Sequence, residues 1–278
     1  MIKTLQMQSC LHENGTIECA LVEIDVAEPT HNEVLVQIEA APINPSDLGL
    51  MFGAADLSSA RTAEHDGQPA LLLDVPPAAM RAMGPRIGHW MPVGNEGSGR
   101  VVAAGSHPDA QALMGQRVGI FGGEMYAGYR CVPIDQCMPF SDAISAEQAA
   151  SCFVNPMTAL GFMETRDLEG QKAIVHTAAA SNLGQMLNRL CQADGVPLVN
   201  IVRSEEQVAL LKSQGAKWVL NSSDEGFMSQ LIEALVATGA TLAFDAIGGG
   251  KGVNRLRHLP PTRMQQRAQR VGESSWWL

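Results

Sequence analysis

Several things are scarce in this sequence. No apolar run reaches the roughly 18 uninterrupted residues of a membrane helix. The N-terminus, MIKTLQMQSCLHENG, lacks the apolar core of a secretory leader. Both absences point to a cytoplasmic chain with no membrane partner. Basic residues are outnumbered, 19 Lys and Arg against 29 Asp and Glu, and the net charge of −10 argues against a nucleic-acid partner. The six cysteines (10, 19, 131, 137, 152 and 191) never form a C-x-x-C pair. That excludes the usual spacing of structural zinc and iron–sulfur sites, and they read as reduced, mostly buried thiols. Only two tyrosines occur, Tyr126 and Tyr129, so candidates for a phenolic acid are few.

What remains is a hydrophobic content of 46% in 278 residues, enough for two globular domains. Residues 1–142 read as β-rich. TIECALVEI, EVLVQIEAA, GSGRVVAAG, GQRVGIFG and YRCVPI are short apolar or alternating runs between Gly, Pro, Asn and Asp. Residues 51–90 read as a loop insertion with one short helix near PPAAMRAM. From residue 143 helix and strand alternate. SAEQAASCFVNPMTALGFME has helical spacing interrupted by Pro156, and KAIVHT is a strand. LGQMLNRLCQA places Leu183, Met186, Leu187 and Leu190 on one helix face. Strands VPLVNIV, KWVLNS and TLAFDAIGGG follow, separated by two helices, the first opening on a capping box of Ser204 and Gln207. The order β-α-β-α-β-α-β predicts an α/β architecture with a parallel sheet over 143–250.

The turn HTAAASNLGQ joins the first of these strands to its helix, where dinucleotide-binding proteins carry G-x-G-x-x-G. Aligned with that fingerprint, only Gly184 is kept. Small residues at 178–181 still let a pyrophosphate approach, and Asn182 can adopt αL geometry or cap the helix. The expected cofactor contacts are Ala180, Ser181, Asn182, Leu183 and Gly184. Arg203 stands at the end of the second strand, where NAD-binding chains place an acid. An arginine there suits the 2′-phosphate of NADP, so NADPH is the expected cofactor.

Taken in order, APINPSDLGL, PVGNEGSGRVVAAG, GQRVGIFG, NPMTAL, HTAAASNLGQ and FDAIGG resemble the medium-chain dehydrogenase/reductase superfamily, in its zinc-independent quinone and enoyl reductase branch. The resemblance implies a GroES-like β-rich domain followed by a Rossmann-type doubly wound parallel sheet. It implies hydride transfer from NADPH to an activated double bond of a small-molecule substrate such as a quinone, enone or enoyl thioester. It places Asn44 and Thr158 beside the nicotinamide, adds Asn221 and Ala246 to the cofactor contacts, and implies a homodimer. Zinc-using members carry an early cysteine motif and G-H-E-x-x-G. Here the corresponding stretches read Asn44-Pro45-Ser46-Asp47 and Gly94-Asn95-Glu96-Gly97, so no zinc is expected and Glu96 reads as a structural acid in a turn. Enoyl-thioester reductases of the branch carry a tyrosine shortly after the first motif. Phe52 is the only aromatic there, so no catalytic acid is assigned; His65, His89 and His176 are candidate polar partners, although a lone histidine is more often structural.

The last stretch differs in character. Residues 251–278 hold six basic residues (Lys251, Arg255, Arg257, Arg263, Arg267 and Arg270) and one acid, Glu273, around a Pro-Pro pair. This predicts a basic irregular tail, and a Rossmann sheet incomplete at its C-terminal side. A reading-frame change after about Lys251 would explain it. The alternative reading is a truncated, catalytically inactive dinucleotide-binding protein.

Overall fold

A computed structural model describes residues 1–247. The expected tail at 251–278, and with it the question of how the last sheet ends, lies outside the described residues. The chain forms two compact units that meet in sequence between Val154 and Asn155. The helical segment that follows residue 142 therefore belongs with the first unit up to Val154, later than the 142/143 boundary expected from composition.

The first unit contains β1 (Ile2–Leu11), β2 (Thr16–Val26), β3 (Glu33–Ala40), α1 (Pro45–Phe52), β4 (Asp56–His65), β5 (Gln68–Asp74), α2 (Pro77–Met80) and β6 (Trp90–Pro92). After these come β7 (Glu96–Ala104), α3 (Pro108–Ala112), β8 (Arg117–Phe121), β9 (Tyr129–Pro133), β10 (Cys137–Phe140) and α4 (Ala146–Ala150). Two five-stranded antiparallel sheets result, ordered β4-β5-β2-β1-β6 and β10-β8-β7-β3-β9. Val34, Val36, Val101, Val118, Ile120 and Val132 bury the inward face of the second sheet, as their alternation predicts. Leu11, Ile17, Cys19, Val75 and Met83 form the core of the first.

The 51–90 stretch is not a loop insertion. It supplies β4 and β5, a hairpin that pairs with β2, and then β6. Its strand character was hidden because β4 buries none of its ten residues and so shows no apolar alternation. The overlooked signal was Asp66-Gly67, with φ of 48° and 77°, the left-handed pair that a two-residue hairpin loop demands. β1 was missed for the opposite reason. It turns polar residues inward: Gln6 and Ser9 are both buried, and Ser9 Oγ donates to Met51 O at 2.7 Å.

The second unit begins within α5 (Val154–Leu168), which carries Pro156 in its first turn, so the helix restarts just before the proline. It continues with β11 (Ile174–His176), α6 (Asn182–Ala193), β12 (Leu198–Val202), α7 (Glu205–Ser213), β13 (Trp218–Asn221), α8 (Phe227–Thr238) and β14 (Leu242–Phe244). The four strands are parallel, in the order β13-β12-β11-β14. Val175, Val199, Ile201 and Leu220 pack one face against Phe227, Leu231 and Ala234 of α8. Ile174, Leu198 and Leu242 pack the other against Ala159 and Met163 of α5 and Leu187 and Cys191 of α6. Apolar side chains on both faces explain why these strands read as continuous hydrophobic runs. All six cysteines are free thiols, and burial pushes Cys137 and Cys191 up to about 12.

Candidate functional site

The strand order places a topological switch point in the second unit. The chain runs from β11 outward through β12 to β13, then returns to the other side of β11 as β14. Open α/β sheets bind ligands at the carboxyl ends of the strands beside such a reversal. The turn 177–184 lies there. Thr177 Oγ1 donates to Asp245 Oδ1 at 2.7 Å and accepts from Ala246 N at 2.9 Å, tying the ends of β11 and β14 together. Neither Thr177 nor Asp245 is among the site residues expected from the sequence.

Within the turn the division of labour differs from expectation. Ala178 takes the left-handed conformation, at φ 51°, although its side chain favours negative φ. Asn182 is instead the first helical residue, and Ser181 is the cap, its Oγ accepting from Gly184 N at 3.1 Å. Ser181 O accepts from Gln185 N. The remaining N–H groups of the first turn of α6, on Asn182 and Leu183, make no hydrogen bond among the described residues. They sit at the positive end of a twelve-residue helix, the arrangement that receives a phosphate. Ala180 is half-buried, and its carbonyl accepts from Gln185 Nε2 at 3.0 Å. Gly184 is fixed by packing. A Cβ there would lie 2.2 Å from Ala179 O and 2.6 Å from Ala179 C.

At the end of β12 the Arg203 side chain is exposed and has no partner among the described residues. Its backbone is held on both sides, N–H by Gln207 Oε1 and O by Ser223 Oγ. The capping box predicted at Ser204 is therefore half formed. Ser204 Oγ accepts from Gln207 N, but the Gln207 side chain reaches Arg203 rather than Ser204. Asn221 is occupied locally. Its Nδ2 donates to Glu205 Oε1 at 2.8 Å and its Oδ1 accepts from Ser223 N. Ala246 is exposed beyond β14, and Thr158 is half-buried on α5.

In the first unit Asn44 caps α1 and forms a capping box with Asp47, whose Oδ2 accepts from Asn44 N at 2.8 Å. Asp47 Oδ1 accepts from Asn95 N, and Asn95 Nδ2 donates to Ser46 Oγ, so the two motifs are stitched together. Glu96 does not sit in a turn. It opens β7, is fully buried, and accepts from Asn44 Nδ2 at 3.1 Å and from the backbone N–H groups of Phe153 and Val154 at 2.9 Å. Tyr126, absent from the expected site, lies over the same motif. Its hydroxyl donates to Pro42 O at 2.9 Å, and burial together with the charge of Asp47 pushes its phenol well above the ordinary range. The far end of α1 is held by Arg86, whose guanidinium donates to the carbonyls of Gly49 and Leu50. Arg86→Ala should leave those C-terminal carbonyls uncapped and lower Tm by about 5 °C in a thermal melt.

Of the three histidines singled out from sequence, His65 and His89 lie in the first unit and His176 in the second. His65 shares the Glu18 carboxylate with His12 beside Trp90, and His89 is exposed. His176 is fully buried, with Nδ1 3.2 Å from Phe244 O and its ring against Phe162. Burial disfavours the charged imidazole and lowers its pKa. Below a pH of about 6.5 the unfolded chain takes up the proton before the folded one, so stability falls as pH drops. In His176→Gln, the loss of Tm between about pH 6.5 and pH 5 should shrink. An unchanged slope would count against this assignment.

No group of three or more His, Cys, Asp or Glu among the described residues is arranged to hold a metal. No helix among them is long and apolar enough to cross a membrane. No protein-family profile matches the chain. Among curated proteins it is similar to a mitochondrial enoyl-[acyl-carrier-protein] reductase of Caenorhabditis elegans, 27% identical over 262 residues, covering 90% of this chain and 66% of that one. The chain spans about two-thirds of the length of the first curated relatives it matches. Among solved structures it resembles one described as an NADPH:quinone reductase from Mesorhizobium loti, with TM-score 0.68, 26% identity, and coverage of 94% and 72% of the two chains. Escherichia coli quinone oxidoreductase complexed with NADPH superposes with TM-score 0.64 at 20% identity, covering 93% and 70%, a likeness of fold.

Proposed function

We propose that this chain, whose homologues and structural neighbours are quinone and enoyl reductases of the medium-chain dehydrogenase/reductase superfamily, is an NADPH-dependent reductase of activated double bonds that works without zinc. The observation that carries the reading is the turn at 177–184. A small-residue loop at the switch point ends in two helix N–H groups with no partner among the described residues, and Gly184 holds helix and strand too close for any side chain. Those N–H groups and the helix dipole would receive the pyrophosphate. Arg203, whose guanidinium has no partner among the described residues, would take the 2′-phosphate through charge-assisted hydrogen bonds. When bound, the dinucleotide supplies a hydride. The chain's own task is to hold the substrate double bond against it and to place polar groups where negative charge develops on the substrate oxygen.

Asn44 and Thr158 are the residues assigned to the nicotinamide end. The support for Asn44 is its rigidity, since a buried side chain locked by Glu96 and the start of α1 is pre-organised. Asn221 and Ala246 belong to the same reading as further cofactor contacts, with the Asn221 side chain held by Glu205 and Ser223. A cytoplasmic location, a small-molecule substrate and a homodimer belong to the same proposal.

The test is to purify the chain, titrate NADPH by fluorescence, and then follow nicotinamide absorbance with an enone, a quinone and an enoyl thioester in turn. Saturable binding with turnover of at least one acceptor is expected. Binding without turnover would replace the reductase reading with that of a catalytically inactive dinucleotide-binding protein.

A further inference from the structure

We propose that Glu96 is a positioning residue whose buried carboxylate sets the direction in which the Asn44 side-chain amide faces. The pairing stands on geometry alone, while its catalytic consequence rests on the reading of Asn44 given above.

Glu96 is 0% exposed and Asn44 is 3% exposed, so water does not compete at either. Three donors converge on the carboxylate: Asn44 Nδ2 on Oε1, and the N–H groups of Phe153 and Val154 on Oε2. A carboxylate offers only acceptors, whereas the two ends of an asparagine amide are nearly the same shape but opposite in polarity. Turning the Asn44 oxygen toward Glu96 would set acceptor against acceptor in a dry site, so the NH2 end must face it. The oxygen end is then left to the capping box at the start of α1. The amide presents one polarity, and not the reverse, to anything that approaches it. The two backbone donors matter because they cannot turn. They hold Oε2, and through it the whole carboxylate, in one orientation.

Glu96→Gln turns this into an experiment. The backbone donors of Phe153 and Val154 must take the new amide oxygen, which leaves its NH2 end facing the NH2 end of Asn44. The Asn44 amide must flip or part from its partner. Tm should fall by roughly 6 °C, and kcat for NADPH oxidation by at least tenfold. KM for NADPH should change by less than about threefold, because the turn at 177–184 is untouched. Adding Asn44→Asp gives the glutamine NH2 an acceptor and returns one to the helix cap. The double variant should regain most of the lost Tm while kcat stays low, because the polarity shown to a ligand is now wrong.

If the Tm changes of Glu96→Gln and Asn44→Asp simply add in the double variant, the pairing is refuted whatever the activity. Coupled Tm values with full kcat in Glu96→Gln would refute the positioning role and leave only a structural one. If the unmodified chain has no NADPH turnover, the functional reading fails instead, and the Tm cycle still decides the pairing.

Discussion

Replacing Gly184 with alanine is expected to weaken NADPH binding by at least about 100-fold and to lower Tm by roughly 10 °C. The new Cβ would meet Ala179 O, C and Cα at 2.2, 2.6 and 2.7 Å, all of them backbone, so no side chain can yield. Either α6 lifts off β11 or the turn deforms. In both cases the N–H groups of Asn182 and Leu183 leave the place where a phosphate would meet them. Leu187 and Cys191, farther along α6, also lose contact with Ile174 and Leu198. Fluorescence titration and a thermal melt read the two effects separately. Near-normal binding in a destabilised variant would mean that the turn is structural only.

Arg203→Ala should weaken NADPH by about 50-fold and leave NADH within about twofold. The selectivity follows from the neighbours. An NAD-type site needs an acid free to bind the ribose, but Glu205 is engaged by Asn221 at 2.8 Å, and the Glu206 carboxylate is held by hydrogen bonds from Ser204 and from its own backbone. Arg203 is the group at this strand end with no partner among the described residues. Its backbone is pinned by Gln207 and Ser223, so truncating the side chain should not move the loop. Equal losses for NADPH and NADH would show that Arg203 does not read the 2′-phosphate.

The second unit was legible because its signals are local. Leu183, Met186, Leu187 and Leu190 lie on one face of α6 as their spacing requires, and Gly195, Gly215 and Gly239 follow the helices they were expected to end. Failures came where tertiary context decides. Asn182 and Ser181 are both competent caps, and only the path of the chain through Ala178 assigns the role to Ser181. Gln207 reaches Arg203 N because the side chain selects among backbone donors that no spacing rule ranks. Glu96 looked like a turn acid because nothing in G-N-E-G announces the three donors that converge on it from residues 52 to 58 positions away. The hairpin of β4 and β5 carries no apolar alternation in its outer strand, because that strand has no buried face.

The central claim is hydride transfer, and isotope transfer tests it most directly. The chain would be mixed with NADPH carrying deuterium at the transferring position of the nicotinamide, together with an excess of an enone, and the product examined by mass spectrometry and NMR. The account expects one deuterium on the β-carbon of the saturated product, a solvent proton on the α-carbon, and oxidised cofactor in equal amount. NADPH that binds yet stays reduced, or a product without deuterium, would contradict it.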